Sequence, residues 1–411
     1  MSREFSAVAV FRVTSILMGL GDILLFSLVD DVSFQSFYYS IVAIIALQAL
    51  FELGAMTAIQ SWSALTKSSD YQSMSHKDLR DFTVILSLIA AFLFSLAAYY
   101  YSVFLIKPFS AQLFSPTIFL IFYTLSNSIL FFNLFIYSFR IGSGDLIFVY
   151  LLRTFGLLLA KASFLICAYR FGFYEVVLLI PAIQAVMFTA SNLRFFQLVR
   201  VPTKSVIIKT FRQLFTFQKN LIVSWIGGIF LYQTIIPVLN IVNEIDLIGQ
   251  FGMTLAAIGG LMSISVSYGS SQVVKVSRDY RAQNYVKNRK VFIRALLYFI
   301  FTFLFLTFFF TVLKSYFIQA NFLSGSKYYL LIVAVLCSGI GFIVGDFIRA
   351  HGVEYTHKIT LCAGIAMLFN GFVCSITHDV HSFFVIYVSI HLFSSVLGLL
   401  MVKKLKKLYL D

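Results

Sequence analysis

The sequence predicts an all-α, polytopic membrane protein of about twelve transmembrane helices, set as two six-helix halves around a central cavity. Three observations lead there. Apolar residues make up 60% of the 411 and charged residues only 12%, where ordinary soluble domains run near ~45–50% and ~25%. The apolar residues fall in blocks of about 20, the length at which a helix crosses ~30 Å of hydrocarbon. The polar gaps between blocks alternate in charge along the chain. A soluble fold has no place for so much apolar surface, because its exterior needs polar and charged groups. A strand barrel would show ~10-residue alternating stretches, and none is sustained here.

The expected spans are 7–29, 36–60, 82–107, 115–139, 147–168, 174–197, 221–243, 246–273, 291–316, 327–350, 357–376 and 381–402. The gaps after spans 2, 6 and 8 carry most of the loop bases, including Lys67, Lys77, Arg80, Arg200, Lys204, Lys209, Arg212, Lys275, Arg278, Arg281, Lys287 and Arg289, and Lys403, Lys404, Lys406 and Lys407 follow span 12. The opposite gaps hold only Lys107, Arg170, Lys314 and Lys327. The positive-inside rule therefore places both termini in the cytoplasm. The N-terminal stretch does not read as a cleavable signal, since Arg12 interrupts it and no small-residue cleavage site follows. The net charge of +14 reads as attraction to anionic inner-leaflet lipid of the bilayer. It argues against nucleic acid as a partner, because the bases are spread over short loops rather than gathered on one face. The four cysteines, Cys167, Cys337, Cys362 and Cys374, sit in apolar blocks and read as small buried hydrophobes.

The halves are expected at 1–210 and 211–411. KSSDYQ at 67–72 and KVSRDYR at 275–281 align Asp70 with Asp279 and Tyr71 with Tyr280, half a chain apart. Six spans is an even number, so the halves share an orientation and are related by an axis along the membrane normal. Pro181 and Pro237 fall mid-span in spans 6 and 7, where proline removes a helix hydrogen bond and kinks the span.

Charge within a span is where function is sought. A base near the midplane costs roughly 2.5–3.5 kcal/mol on insertion scales, and so faces water or a counter-ion. Arg194 and Arg294 are near cytoplasmic ends and snorkel. Arg12, Arg153 and Lys161 lie deeper, the last two on one broad face of span 5. Among the acids, Asp346 has Arg349 as a helical neighbour. Asp22 and Glu52 are deeper, and either serve ion coupling or hold structure, with an Arg12–Glu52 bridge as one arrangement. Span 8 is rich in serine (Ser263, Ser265, Ser267, Ser270) and span 7 offers Gln233, Thr234 and Asn240; such groups join helices or line a wet cavity. No zinc spacing, phosphate-cradling glycine loop or nucleophile elbow is present, so the chain does not read as an enzyme.

The order of these features resembles a known family. DDVSFQSFYYSIVAI at 30–44 leads into FELGAMTAIQSWSA at 51–64, an aromatic start to span 2 followed by an acid-Leu-Gly step, Glu52 to Gly54, and a basic loop. That order is similar to the opening of bacterial O-antigen and polysaccharide flippases of the multidrug/oligosaccharidyl-lipid/polysaccharide exporter superfamily. The resemblance implies translocation of an undecaprenyl-pyrophosphate-linked oligosaccharide from the cytoplasmic to the outer leaflet of the plasma membrane by alternating access. The product would feed O-antigen or capsule synthesis, in contact with polysaccharide polymerase machinery. A cationic cavity (Arg12, Arg153, Lys161) would take the pyrophosphate. No cofactor is implied, and a proton or sodium gradient would drive the cycle. The alternatives are a drug or cation antiporter of the same superfamily, a major-facilitator transporter, whose loop motif LTKSSDYQSMSHKDLR lacks, and a repeat-unit polymerase, which would want a large exterior loop.

Overall fold

A computed structural model of the chain describes residues 3–29, 31–67, 75–281, 285–317, 322–350 and 356–404. These residues are helical almost throughout, with no strand among them. Asp70 and Tyr71, one side of the expected internal repeat, lie outside the described residues. The chain divides into two compact units, Met1–Ile222 and Val223–Asp411. The division falls later than residue 210, inside a single helix.

The first unit runs through α1 (Arg3–Val29), α2 (Val32–Ala46), α3 (Gln48–Glu52), α4 (Ala55–Lys67), α5 (His76–Ile106), α6 (Pro116–Gly142), α7 (Leu146–Phe171) and α8 (Leu179–Phe196). Local signals set the ends. Asp31 caps α2, its carboxylate accepting from the Phe34 N–H at 3.0 Å. Ser75 does the same for α5, accepting from the Lys77 N–H at 3.2 Å. Pro116 opens α6, at a position whose N–H has no helical acceptor. Helix α9 (Lys204–Gln233) crosses the division, and α10 (Ile235–Ile241), α11 (Ile245–Arg281), α12 (Tyr285–Phe317), α13 (Gly325–Arg349), α14 (His357–Thr377) and α15 (Val380–Lys404) complete the second unit.

Twelve spans were expected. Among the described residues ten helices are long and apolar enough to cross a membrane, eleven if one bent pair counts as a single span. Two places account for the difference. In α1 the apolar run is the shorter Val13–Ile23, closed on one side by Arg12. Span 7 is the bent pair, Ile222–Gln233 and Ile235–Ile241, meeting at 42°. Pro237 donates no hydrogen bond to the Gln233 carbonyl, and the Thr234 hydroxyl turns back onto the Phe230 carbonyl, so the expected kink at Pro237 is present. The expected kink at Pro181 is not. That residue lies in the first turn of α8, directly after a 3₁₀ turn at Tyr174–Leu178, where its missing N–H breaks no helical bond.

Span 2 is also interrupted, and at the acid-Leu-Gly step itself. Leu53 adopts φ +45° and Gly54 φ +74°, so the chain leaves the right-handed helix directly after Glu52. Glycine takes this conformation without strain, whereas leucine there is held at a cost of about 1–2 kcal/mol.

In the second unit α9 and α14 meet glycine to glycine. A Cβ at Gly227 would stand 2.4 Å from the Thr360 carbonyl oxygen, and one at Gly364 the same distance from the Gly227 carbonyl oxygen. Only hydrogen fits on either side, the small-residue crossing of membrane helices. Gly364→Ala is expected to force the two backbones apart and lower stability by about 1–3 kcal/mol. Thermal unfolding of purified protein in detergent reads this, with Gly341→Ala as the comparison, since a Cβ at Gly341 meets nothing within 4 Å. Equal midpoints for the two variants would remove the crossing as a packing determinant.

Candidate functional site

In the first unit, α1 and α7 run side by side in the same direction. Phe11 of α1 packs edge-on against Tyr150 of α7, at 5.6 Å between ring centroids. Eleven residues further along α1, Asp22 meets Lys161 of α7. The two helices therefore carry charge at two levels, separated on α7 by about 12 Å, the rise of eight residues.

At the upper level Lys161 is buried among α1, α2 and α7. Its ammonium donates to both carboxylate oxygens of Asp22, at 2.9 and 2.7 Å, and to the phenol oxygen of Tyr38. The Tyr38 hydroxyl in turn donates to Asp22 Oδ2 at 2.9 Å. Asp22 is 7% exposed, Lys161 9% and Tyr38 3%. Phe164 stacks on the Tyr38 ring at 5.4 Å and Phe26 leans against it at 5.2 Å, so the network is walled by aromatic groups. An ammonium has three hydrogens to donate, and all three are used. Lys161 is therefore not a free cation of a substrate cavity, and Asp22 is not a free acid. A lysine and an aspartate stay charged in such surroundings by neutralising each other, and the tyrosine completes a closed network.

At the lower level Arg153 is different. Its guanidinium carbon lies 4.7 Å from the centroid of the Phe11 ring and 5.8 Å from that of Tyr150. Ring faces attract the cation but accept few of its five N–H groups. Among the described residues no carboxylate and no hydrogen-bond acceptor meets it. Arg153 keeps a fork of donors of the kind that fits phosphate or carboxylate in two parallel bonds.

Glu52 ends α3 at the break, half-buried, and no ion pair or hydrogen bond holds it among the described residues. Its negative charge sits at the negative end of a helix dipole, where a cation or a proton is favoured. The side chain of Arg12 lies outside the described residues, and the expected bridge to Glu52 is absent among those described. The expected cationic group of Arg12, Arg153 and Lys161 thus reduces, in the described residues, to Arg153. Arg194 and Arg294 are exposed, consistent with snorkelling.

In the second unit Asp346 pairs with Arg349 at 2.9 Å and accepts from the Ser270 hydroxyl at 3.1 Å. The other serines of span 8 return to their own helix. Ser263 and Ser265 donate to carbonyls four residues back and Ser267 to one three back, so they do not join helices. Cys337 and Cys374 are buried and Cys167 is half-buried, but Cys362 is exposed on α14, against the reading of all four as buried.

Sequence reasoning did not single out Tyr38, Phe11 or Tyr150. The signal for Tyr38 was available in the aromatic run at 34–39. Phe34, Phe37 and Tyr38 recur at helical spacing, and a phenol inside a span needs a polar partner.

No family model matches the chain, and no curated protein matches it. Solved structures do. The MATE multidrug transporter DinF-BH, solved as a complex with a small molecule, aligns with TM-score 0.61 at 13% identity, over 100% of this chain and 96% of that one. A multidrug resistance MATE family transporter of the MOP superfamily, inward-facing, aligns with TM-score 0.58 at 14% identity, over 100% and 96%. A MOP superfamily transporter from Pyrococcus furiosus, described as having a binding pocket of reversed polarity, aligns with TM-score 0.58 at 14% identity, over 100% and 97%. The chain shares the fold of these transporters from end to end.

Proposed function

We propose that this chain is a secondary transporter, not an enzyme, which moves amphipathic cargo across a bacterial plasma membrane by alternating access. The observation that supports it is the full-length fold likeness to solved transporters. On this reading both termini lie in the cytoplasm, following the charge of the loops, and a proton or sodium gradient supplies the driving force, with Glu52 as the acid left open to either ion.

The names of the fold relatives favour a drug antiporter over a flippase for lipid-linked sugars. One observation favours the flippase. Arg153 is the buried charge of the first unit that lacks a counter-ion or polar partner among the described residues while lying beside α1, and it repels a cationic drug but fits a pyrophosphate. Deletion of the gene separates the two readings. Undecaprenyl-pyrophosphate-linked repeat units trapped on the cytoplasmic side, with sidedness read by an impermeant reagent, support the flippase. Hypersensitivity to lipophilic cations with an unchanged lipid profile supports the antiporter. Neither phenotype, together with no transport by the purified protein in vesicles, overturns both.

A further inference from the structure

The second unit holds a buried titratable group that nothing above uses. His391, on α15, is 2% exposed. Its Nδ1 shares a hydrogen bond of 2.9 Å with the Ser338 hydroxyl of α13, while that hydroxyl also donates to the Ala334 carbonyl at 2.8 Å. With the Ser338 hydrogen so committed, Nδ1 is the donor and the neutral ring carries its proton there. Nε2 is then a bare acceptor, buried, with no hydrogen-bond partner among the described residues. An unpaired polar atom in the interior costs about 1–3 kcal/mol and calls for an explanation.

The walls of the site suggest one. The ring lies edge-on to Tyr387 at 4.5 Å and tilted to Tyr232 at 5.3 Å, and Tyr232 stacks on Phe342 at 6.2 Å. The polar and aromatic groups facing His391 are thus Ser338 from α13, Tyr232 from α9 and Tyr387 from α15, none of them charged. Aromatic rings are poor partners for a neutral imidazole acceptor but attract an imidazolium. Tyr232 is also two residues before the break between α9 and α10, where Gln233 has a carbonyl that Pro237 leaves without its helical donor. The group that would gain an N–H and the backbone that lacks one meet at the same bent segment.

We propose that His391 is a proton-binding site of the second unit, whose protonation is coupled to the angle between α9 and α10. Neutral, it fits the apolar surroundings seen here. Protonated, its Nε2–H needs an acceptor, and the segment around Gln233 is the nearest part of the fold with one to give, so the bend must change. This names the proton as a coupling ion and rests on the reading of the chain as a gradient-driven transporter.

The test does not depend on transport. Spin labels at Val223→Cys and Ile241→Cys, in protein whose native cysteines are replaced, report the distance across the bend by pulsed electron resonance. A shift in that distance between about pH 8 and about pH 5 is expected in the parent and is expected to be lost in His391→Gln. His391→Asn, which keeps a donor toward Ser338, is the second variant should glutamine disturb folding. Nitrogen-15 spectra of labelled histidine are expected to show the His391 ring taking up a proton over the same range. A distance that shifts equally in both variants, or a His391 ring that stays neutral throughout, overturns the proposal. Absence of transport by a protein whose bend still follows His391 overturns only the transporter reading.

Discussion

Asp22→Ala is expected to destabilise the protein by about 3–5 kcal/mol, because it leaves the Lys161 ammonium buried without its counter-ion. Lys161→Ala is expected to do the same to Asp22. Unfolding of the purified protein in detergent reads both, as a fall in midpoint and in the monodisperse fraction. The double variant Asp22→Leu/Lys161→Met is the informative one. Replacing a whole buried pair by apolar side chains of similar size is often neutral or stabilising, so most of the loss should return. If it does not, the pair is not the closed, self-neutralising unit its distances describe. Transport by the stable double variant then assigns the pair. Normal transport makes it a brace between α1 and α7, and loss of transport from a well-folded protein means that the cycle opens it.

Arg153→Gln is expected to separate the cargo readings with little effect on the fold. Its ring contacts contribute only about 0.5–1 kcal/mol, so the midpoint should barely move. Charge-assisted hydrogen bonds to a pyrophosphate are stronger, about 1.5–3 kcal/mol. A flippase should therefore bind its lipid-linked cargo about ten- to hundredfold more weakly, with part of the loss restored in Arg153→Lys, which keeps the charge but not the fork. For a drug antiporter the same change removes a repulsive charge and leaves export equal or higher. Export of both cargoes unaltered would take Arg153 out of the binding site altogether.

Much of the fold was legible because membrane spans announce themselves by length and apolarity, which depend on no other part of the chain. What was misplaced depended on local backbone detail. Proline marks a span as breakable, but Pro181 and Pro237 differ only in how many helical residues precede them, and hydropathy does not record that. The acid-Leu-Gly step was noticed as a pattern, yet its left-handed Leu53 is a backbone state that leucine does not advertise. The site was half legible. The buried charges could be named, because each is conspicuous in an apolar block. Their partners could not, since pairing Asp22 with Lys161 joins residues 139 apart and depends on which helices touch. Lys161 and Arg153 look alike in sequence, and only the neighbours make one of them spent and the other available.

The distance along the chain between Asp22 and Lys161 also has a consequence for biogenesis. Helix α1 leaves the ribosome long before α7, and at ordinary synthesis rates the 139 intervening residues take roughly 7–28 s. Throughout that interval Asp22 has no cation to meet, and an aspartate near the centre of a helix adds about 2.5–3.5 kcal/mol against insertion, in a helix whose apolar run, Val13–Ile23, is short. The first helix made is thus among the last to be settled in the membrane. Nascent chains arrested before residue 161 should leave α1 accessible to a water-soluble thiol reagent placed beside Asp22, and chains arrested once α7 has emerged should protect it. The order of synthesis and the order of assembly are opposed at this one ion pair.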